Sequence, residues 1–101
     1  MKRFYLIVLE GATPEGLKKF HESVKQNSKN WWHHFSNVWI VEGTSAAEWR
    51  DKLKIAVNEI PRSHMLVLQL KGGPTWAYFG RASQKHTKWL RSQLSASNET
   101  D

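Results

Sequence analysis

The chain has 101 residues, of which 40% are hydrophobic and 24% are charged. This length and balance fit one globular domain and exclude an intrinsically disordered chain. The absence of cysteine excludes disulfides, thiolate metal sites and cysteine nucleophiles. No apolar run is long enough to span a bilayer, and residues 4–9 are too short an apolar stretch for a signal peptide. We therefore expect a cytoplasmic protein with no membrane partner.

The charge is uneven along the chain. Fifteen Lys and Arg against nine Asp and Glu give a net charge of +6. The segment between Ile60 and Leu94 has no acidic residue. A positive field of this kind favours a polyanionic partner, RNA or DNA before a membrane, although a solvated, solubilising surface has the same composition. The basic residues of that segment are Arg62, Lys71, Arg81, Lys85, Lys88 and Arg91.

The first elements in chain order are a strand and a helix. In residues 2–9, apolar residues occupy both sets of alternate positions, which is typical of a central strand covered on both faces. Thr13 is the predicted cap of a helix with Pro14 at its first position. Leu17, Phe20 and Val24 form an apolar stripe at spacings of three and four residues, which supplies the buried face of this helix.

The middle of the chain predicts a hairpin, a second helix and another strand. Two short β-rich runs, residues 31–35 and 38–42, flank a two-residue turn. Ser45 and Glu48 have the spacing of a capping box at the start of a helix. In residues 64–71, apolar residues again occupy both sets of alternate positions, which predicts the last strand.

The end of the chain predicts a third helix and a tail. Gly72-Gly73-Pro74 breaks the last strand and opens the helix, and residues 95–101 form a polar disordered tail. The domain then covers residues 1–94. The order βαββαβ with an additional C-terminal helix is the pattern of an α+β, ferredoxin-like antiparallel sheet.

This topology leaves apolar surface to be covered. The first and third strands lie at the centre of a ferredoxin-like sheet and the fourth lies at an edge, while the two helices cover only one face. An apolar edge strand that stays open is an aggregation hazard. Either the terminal helix folds back over the bare face or a second copy docks there. We expect both in part, and therefore a homodimer.

An aromatic and histidine cluster occupies the first run of the hairpin. Consecutive strand residues point to opposite faces, so His33 and His34 cannot both ligate one metal ion. Packing accounts for one tryptophan and one histidine on each face, and the exposed partner is then free to stack on a base or on a neighbouring subunit. We therefore predict that Trp31 or Trp32, together with His33, contributes to nucleic-acid binding.

A basic row follows in the predicted third helix. Arg81, Lys85 and Lys88 are spaced by four and three residues and project from one side, with Arg91 adjoining. Such a row suits a phosphate backbone; any exposed helix face also carries charges, but it normally mixes their signs. Gly72-Gly73-Pro74 offers backbone amides as a seat for phosphate, or is simply a turn.

Catalytic carboxylates are scarce, and Glu10 is the candidate. It follows the first strand, where a ferredoxin-like nuclease would hold a metal ion. A single glutamate makes no metal site unless a dimer brings a second one close. Glu10 is therefore the predicted catalytic residue and metal ligand, with Mg²⁺ or Mn²⁺ as the metal.

Several segments carry a resemblance to a known family. Residues 32–41, WHHFSNVWIV, followed by residues 44–53, resemble small bacterial proteins often described as SinR-like. These are similar to the small endoribonuclease-like subunit of CRISPR adaptation, a bacterial defence process. The likeness continues through residues 66–70, 73–77 and 88–90 and covers most of residues 2–94.

The resemblance implies a ferredoxin-like homodimer associated with RNA or DNA. The adaptation nucleases have an aspartate at the end of the first strand, paired across the dimer around a metal ion, and Glu10 in Leu9-Glu10-Gly11 matches that position. The longer glutamate side chain favours binding over catalysis. The leading hypothesis is thus a basic homodimeric nucleic-acid-binding protein with weak or lost metal-dependent nuclease activity. The alternative is a non-catalytic module that binds a partner protein or a signalling nucleotide, such as an antitoxin, an accessory subunit or a nucleotide sponge.

Overall fold

A computed structural model describes residues 2–71, 75–94 and 97–98. In these residues the chain is an α+β protein with three helices and a four-stranded antiparallel sheet. Contacts divide the chain into two compact units, residues 1–69 and 70–101. None of the helices in the described ranges is long and apolar enough to cross a membrane.

The first unit contains the four-stranded sheet. Its strands have the order β2-β3-β1-β4, so that β1 and β3 are central and β2 and β4 are edges, as predicted. β1 pairs antiparallel with β3, and β3 pairs antiparallel with β2. The elements are β1 (Arg3–Glu10), α1 (Pro14–Asn27), β2 (Trp31–Phe35), β3 (Val38–Gly43), α2 (Ala46–Glu59) and β4 (His64–Leu70).

The helix starts follow the predicted caps. The hydroxyl of Thr13 accepts a hydrogen bond from the Gly16 amide at 3.1 Å, and that of Ser45 accepts one from the Glu48 amide at 3.0 Å. The Glu48 carboxylate accepts instead from the amide and hydroxyl of Thr44, at 3.0 Å and 2.7 Å. These two bonds lower the pKa of Glu48 to about 2, and Lys52 contributes to the shift. The predicted capping box is therefore confirmed for Ser45 and displaced by one residue for Glu48.

The core of the first unit lies between the sheet and the two helices. Alternate strand residues point to one face, and on that face they pack against apolar residues of α1 and α2. The apolar stripe of α1 is confirmed, because Phe20 and Val24 are fully buried. The buried members of this core are Tyr5, Ile7, Leu9, Phe20, Val24, Trp39, Val41, Trp49, Leu53, Ala56 and Ile60.

The other face of the sheet is apolar as well. Met65 and Val67 of β4 pack against the core, so the alternate residues Leu66 and Leu68 lie on the opposite face. Their side chains are 55% and 48% exposed. β4 contains no Lys, Arg, Asp or Glu. This edge strand therefore has none of the charged side chains that usually prevent edge-to-edge pairing.

The second unit corrects the prediction for the end of the chain. It contains β5 (Thr75–Trp76), α3 (Ser83–Gln93) and β6 (Ser97–Asn98), and β5 pairs parallel with β6. The helix predicted to begin at Pro74 begins only at Ser83, because the intervening residues are β-formers followed by Gly80, whose φ is positive. The two short strands also depart from the predicted order of βαββαβ plus a helix.

Two predictions fall on parts of the chain outside the described residues. Gly72-Gly73-Pro74, the predicted phosphate seat, is one of them. The other is the predicted tail, residues 95–101, of which only Ser97 and Asn98 are described. Both stay predictions.

A close approach between Gly43 and Trp49 generates a stability prediction. A Cβ atom on Gly43 would lie 2.8 Å from Cδ1 of the Trp49 indole and closer still to its Nε1. Trp49 is fully buried, so the ring has no room to retreat. We expect Gly43→Ala to lower the free energy of unfolding by about 1–3 kcal/mol, the usual cost of overpacking. Urea unfolding followed by circular dichroism measures this change.

A double-mutant cycle tests the cause. In a Trp49→Leu background, which has no indole nitrogen, Gly43→Ala should cost less than it does in the wild-type chain. Equal midpoints for the wild type and Gly43→Ala would show that the contact does not restrict position 43.

Candidate functional site

Three basic side chains lie on one face of α3. Lys85, Lys88 and Arg91 follow each other at intervals of three residues, which places them within an arc of about 120° on the helix surface. All three are exposed. The opposite arc carries the buried residues Thr87 and Leu90, and α3 contains no acidic residue. We call Lys85, Lys88 and Arg91 the cationic face of α3.

Arg81 does not belong to this helical row. It is exposed and precedes Ala82, the residue before α3, so its predicted place in the same helix as Lys85 is wrong. The physical reason is a turn. Gly80 and Ala82 have φ values of 146° and 55°, and the chain reverses there before the helix begins. The carbonyl of Arg81 accepts a hydrogen bond from the hydroxyl of Tyr78 at 3.2 Å.

The two tryptophans of β2 lie on opposite faces of the sheet, as predicted. Trp31 is half-buried against the helix-covered core. Trp32 is only 4% exposed, with its ring against those of His34 and Phe35. The β2–β3 register shifts between Trp32 and Phe35. Of the two predicted stacking residues, Trp31 is therefore the one with accessible ring surface.

His33 lies on the same face as Trp31 and stacks on Trp39 of β3. The ring centroids are 4.2 Å apart and the planes are parallel within 2°. The Nδ1 atom of His33 lies 3.0 Å from the Val38 carbonyl oxygen, which can only accept, so this nitrogen carries the proton. His34 contacts Trp32 on the other face. The prediction that His33 and His34 cannot share a metal ion is confirmed.

A histidine of α1 completes this group. The ring centroid of His21 lies 4.6 Å from that of His33 and 5.0 Å from that of Trp31. The indole nitrogen of Trp39 donates a hydrogen bond to Nδ1 of His21 at 2.9 Å. An indole nitrogen can only donate, so Nδ1 of His21 is unprotonated and its neutral ring carries the proton on Nε2. We call Trp31, His21, His33 and Trp39 the aromatic–histidine cluster.

The surroundings of His21 favour its neutral form. Burial lowers the pKa of His21, and positive charge on His33 and Lys25 lowers it further, against a smaller opposite effect of Glu22. The hydrogen bond from Trp39 acts in the same direction. A proton on Nδ1 would set two donors against each other and leave the buried indole nitrogen without an acceptor.

Glu10 is exposed at the end of β1. One oxygen of its carboxylate accepts a hydrogen bond from the side-chain amide of Asn37 at 3.4 Å. In the part of the chain that the structure describes, no three His, Cys, Asp or Glu side chains come close enough together to hold a metal ion. The predicted role of Glu10 as a ligand of Mg²⁺ or Mn²⁺ therefore requires a second carboxylate from another copy and stays a prediction.

The sequence analysis does not identify His21 as a site residue. Its position in α1, beside the buried Phe20 and three residues before Val24, places it at the margin of the apolar stripe. That spacing indicates a half-buried histidine. Its partners, however, come from β2 and β3, so only the packing of α1 on the sheet identifies them.

No family model matches the sequence, and neither a curated protein nor a solved structure matches the chain.

The geometry of His21 predicts a pH-dependent stability. The folded chain holds the pKa of His21 below its ordinary value of 6.5, so the unfolded chain binds more protons in that range. The stabilisation is complete above about pH 6.5 and is lost as the pH falls below that value. We expect His21→Asn, whose amide oxygen can accept from Trp39 without titrating, to flatten the dependence of urea unfolding on pH.

The control is a substitution on the same helix that involves no titratable group. Gln26 is exposed on α1, and we expect Gln26→Asn to retain the wild-type dependence. A His21→Asn chain that loses stability between pH 7 and pH 5 as steeply as the wild type would contradict the assignment.

Proposed function

We propose that this protein is a small, basic, homodimeric nucleic-acid-binding protein. The cationic face of α3 carries this proposal. Lys85, Lys88 and Arg91 are exposed together on the arc opposite the buried side of the helix. The chain between Ile60 and Leu94 contains no acidic residue. Phosphate groups are the natural ligands of such a surface, because each Lys or Arg that contacts a phosphate releases condensed counterions.

The proposed fold is ferredoxin-like in the first unit. Its support is the sheet order β2-β3-β1-β4 together with one helix between β1 and β2 and another between β3 and β4. A fold of this class hosts many functions, so it supports the proposal only by agreeing with it. We also propose that the chain belongs to the SinR-like group of small bacterial proteins, which is linked to bacterial defence.

The proposed dimer uses the open edge of the sheet. β4 ends the strand order, contains no Lys, Arg, Asp or Glu and exposes Leu66 and Leu68. The neighbouring strand β1 contributes the half-buried Leu6 and Val8 to the same face. A second copy supplies a matching apolar strand in a twofold arrangement, which buries the leucines of both copies.

Binding is favoured over catalysis. Glu10 is a single exposed carboxylate held by Asn37, and one carboxylate does not make a divalent metal site. Trp31 and His33 of the first unit are proposed to contribute ring surface to the bound nucleic acid. Their half-buried rings in the aromatic–histidine cluster support that role.

The proposal predicts a strong salt dependence of RNA and DNA affinity that the cationic face controls. Lys85→Gln with Lys88→Gln should weaken binding and make the slope of log K against log salt less negative by about 1.4 for a single strand, since each lost phosphate contact contributes about 0.7. Fluorescence anisotropy of a labelled homopyrimidine strand, titrated at several salt concentrations, measures both quantities.

A charge-matched control separates the face from the net charge. Lys18→Gln with Lys29→Gln removes the same two positive charges from exposed positions of the first unit. It should leave the slope close to that of the wild type. A wild-type affinity that does not respond to salt would overturn the proposal.

The dimer has its own test. Leu66→Lys with Leu68→Lys places two positive charges on each edge, and we expect the chain to become monomeric, because like charges would then face each other across the twofold axis. Light scattering of a size-exclusion peak gives the mass. The control is Ile55→Lys, at a position of α2 that is 65% exposed, which should leave the dimer intact. A wild-type monomer at micromolar concentration would contradict the proposal.

A further inference from the structure

Phe79 exposes its whole ring to solvent. Its relative exposure is 102%, the largest of any large hydrophobic side chain in the described residues. An exposed phenyl ring gains nothing from folding, and aromatic rings with open faces are the surfaces on which proteins bind other aromatic groups. Phe79 precedes α3 and does not pack against it, because its ring lies in solvent.

The loop that carries Phe79 is held against the start of α3. The hydroxyl of Tyr78 lies 2.7 Å from Nδ1 of His86 and donates to the Arg81 carbonyl at 3.2 Å. The ring centroids of Tyr78 and His86 are 5.8 Å apart in an edge-to-face contact. Tyr78 therefore points toward the helix, while the adjacent side chain of Phe79 points into solvent.

Basic residues follow Phe79 closely in the chain. Arg81 is exposed two residues later in the same loop. Tyr78, which precedes Phe79, contacts His86 of α3, the helix that carries the cationic face. The second unit thus combines one open aromatic ring with basic side chains in the loop and the helix that follow it. A ring stacks on a base while the neighbouring cations contact the phosphates of the same strand.

We propose that Phe79 is the base-stacking residue of this surface and that its ligand is a single-stranded nucleic acid. Bases of a duplex are already stacked on each other and paired, so only an unpaired base offers a free face to the ring. The stacking is indifferent to base identity and to the sugar, because every base has an aromatic face. The inference rests on the proposed function, since it names the strand that the cationic face binds.

The test compares Phe79→Ala with the wild type on three labelled probes. The probes are a uridine homopolymer, a thymidine homopolymer and a duplex of the same length. We expect Phe79→Ala to weaken binding to both single strands by about 5-fold to 150-fold, which is the range found when a stacking aromatic residue is replaced by alanine. Duplex affinity should change less than twofold. A loss on only one of the two single strands would contradict a stacking contact that is indifferent to base identity and to the sugar.

Two further variants identify the contact as stacking. Phe79→Trp keeps a flat ring and should bind the single strands within about threefold of the wild type, since tryptophan stacks at least as well as phenylalanine. Phe35→Ala removes another exposed phenyl ring, 47% exposed on β2, and should leave single-strand affinity unchanged. The slope against salt should be the same for Phe79→Ala as for the wild type, because no phosphate contact is lost.

The outcomes separate this inference from the proposed function. A wild-type chain that binds none of the three probes overturns both. A wild-type chain that binds with the predicted slope while Phe79→Ala binds equally well overturns only the stacking role. A Phe79→Ala chain whose mass falls from dimer to monomer would show that the ring contacts a second copy, which also overturns it.

Discussion

The first unit depends on the burial of one indole ring. Trp39 lies on a central strand, is fully buried and contacts three side chains from two other elements. Its ring meets the edge of Phe20 at 4.9 Å, stacks on His33 at 4.2 Å and donates its N–H to His21 at 2.9 Å. These contacts join α1 and β2 to β3. A smaller apolar residue would leave a cavity and remove the hydrogen bond that orients the His21 ring.

The two units present unlike surfaces. The edge strand β4 of the first unit contains no Lys, Arg, Asp or Glu and exposes two leucines, whereas α3 of the second unit is basic on its exposed side and has no acidic residue. An apolar strand edge binds another strand, and a cationic helix face binds a polyanion. β4 does not suit a polyanion, because strand pairing buries neutral backbone. The cationic face of α3 does not suit an apolar strand, because phosphate binding requires hydrated cations. The proposed dimer and the proposed phosphate contacts thus use residues of different units.

Local signals in the sequence were enough to predict the first unit. Thr13 and Ser45 predict the two helix starts because their hydroxyls are followed by helical spacing, and residues 2–9 predict a central strand because apolar residues occupy both sets of alternate positions. The same signals do not predict where the helix of the second unit begins. Pro74 before a run with Trp76 looks like a helix start, but Gly80 and the left-handed Ala82 delay α3 until Ser83. Positive φ at an alanine has no sequence signature, because residues with a Cβ atom adopt it only rarely.

The candidate site shows a similar division. The opposite facing of Trp31 and Trp32 follows from strand geometry alone, whereas their different exposure depends on what covers each face. The sequence predicts the basic row of α3. Its extension to Arg81 requires helical backbone at residue 81, whereas α3 begins at Ser83. The partnership of His21 with Trp39 links residues 18 positions apart through a helix–sheet contact. Residue spacing along the chain cannot predict a contact of this kind between a helix and a sheet.

The hydrogen bond from Trp39 to His21 also gives the molecule an internal reporter. A donor held by an imidazole nitrogen in a solvent-excluded position has a deshielded, slowly exchanging proton. We therefore expect the chemical shift of the Trp39 indole N–H to follow the charge on His21. Magnetic resonance can thus read the state of a histidine through the proton of its tryptophan neighbour, at a site that no added label needs to reach.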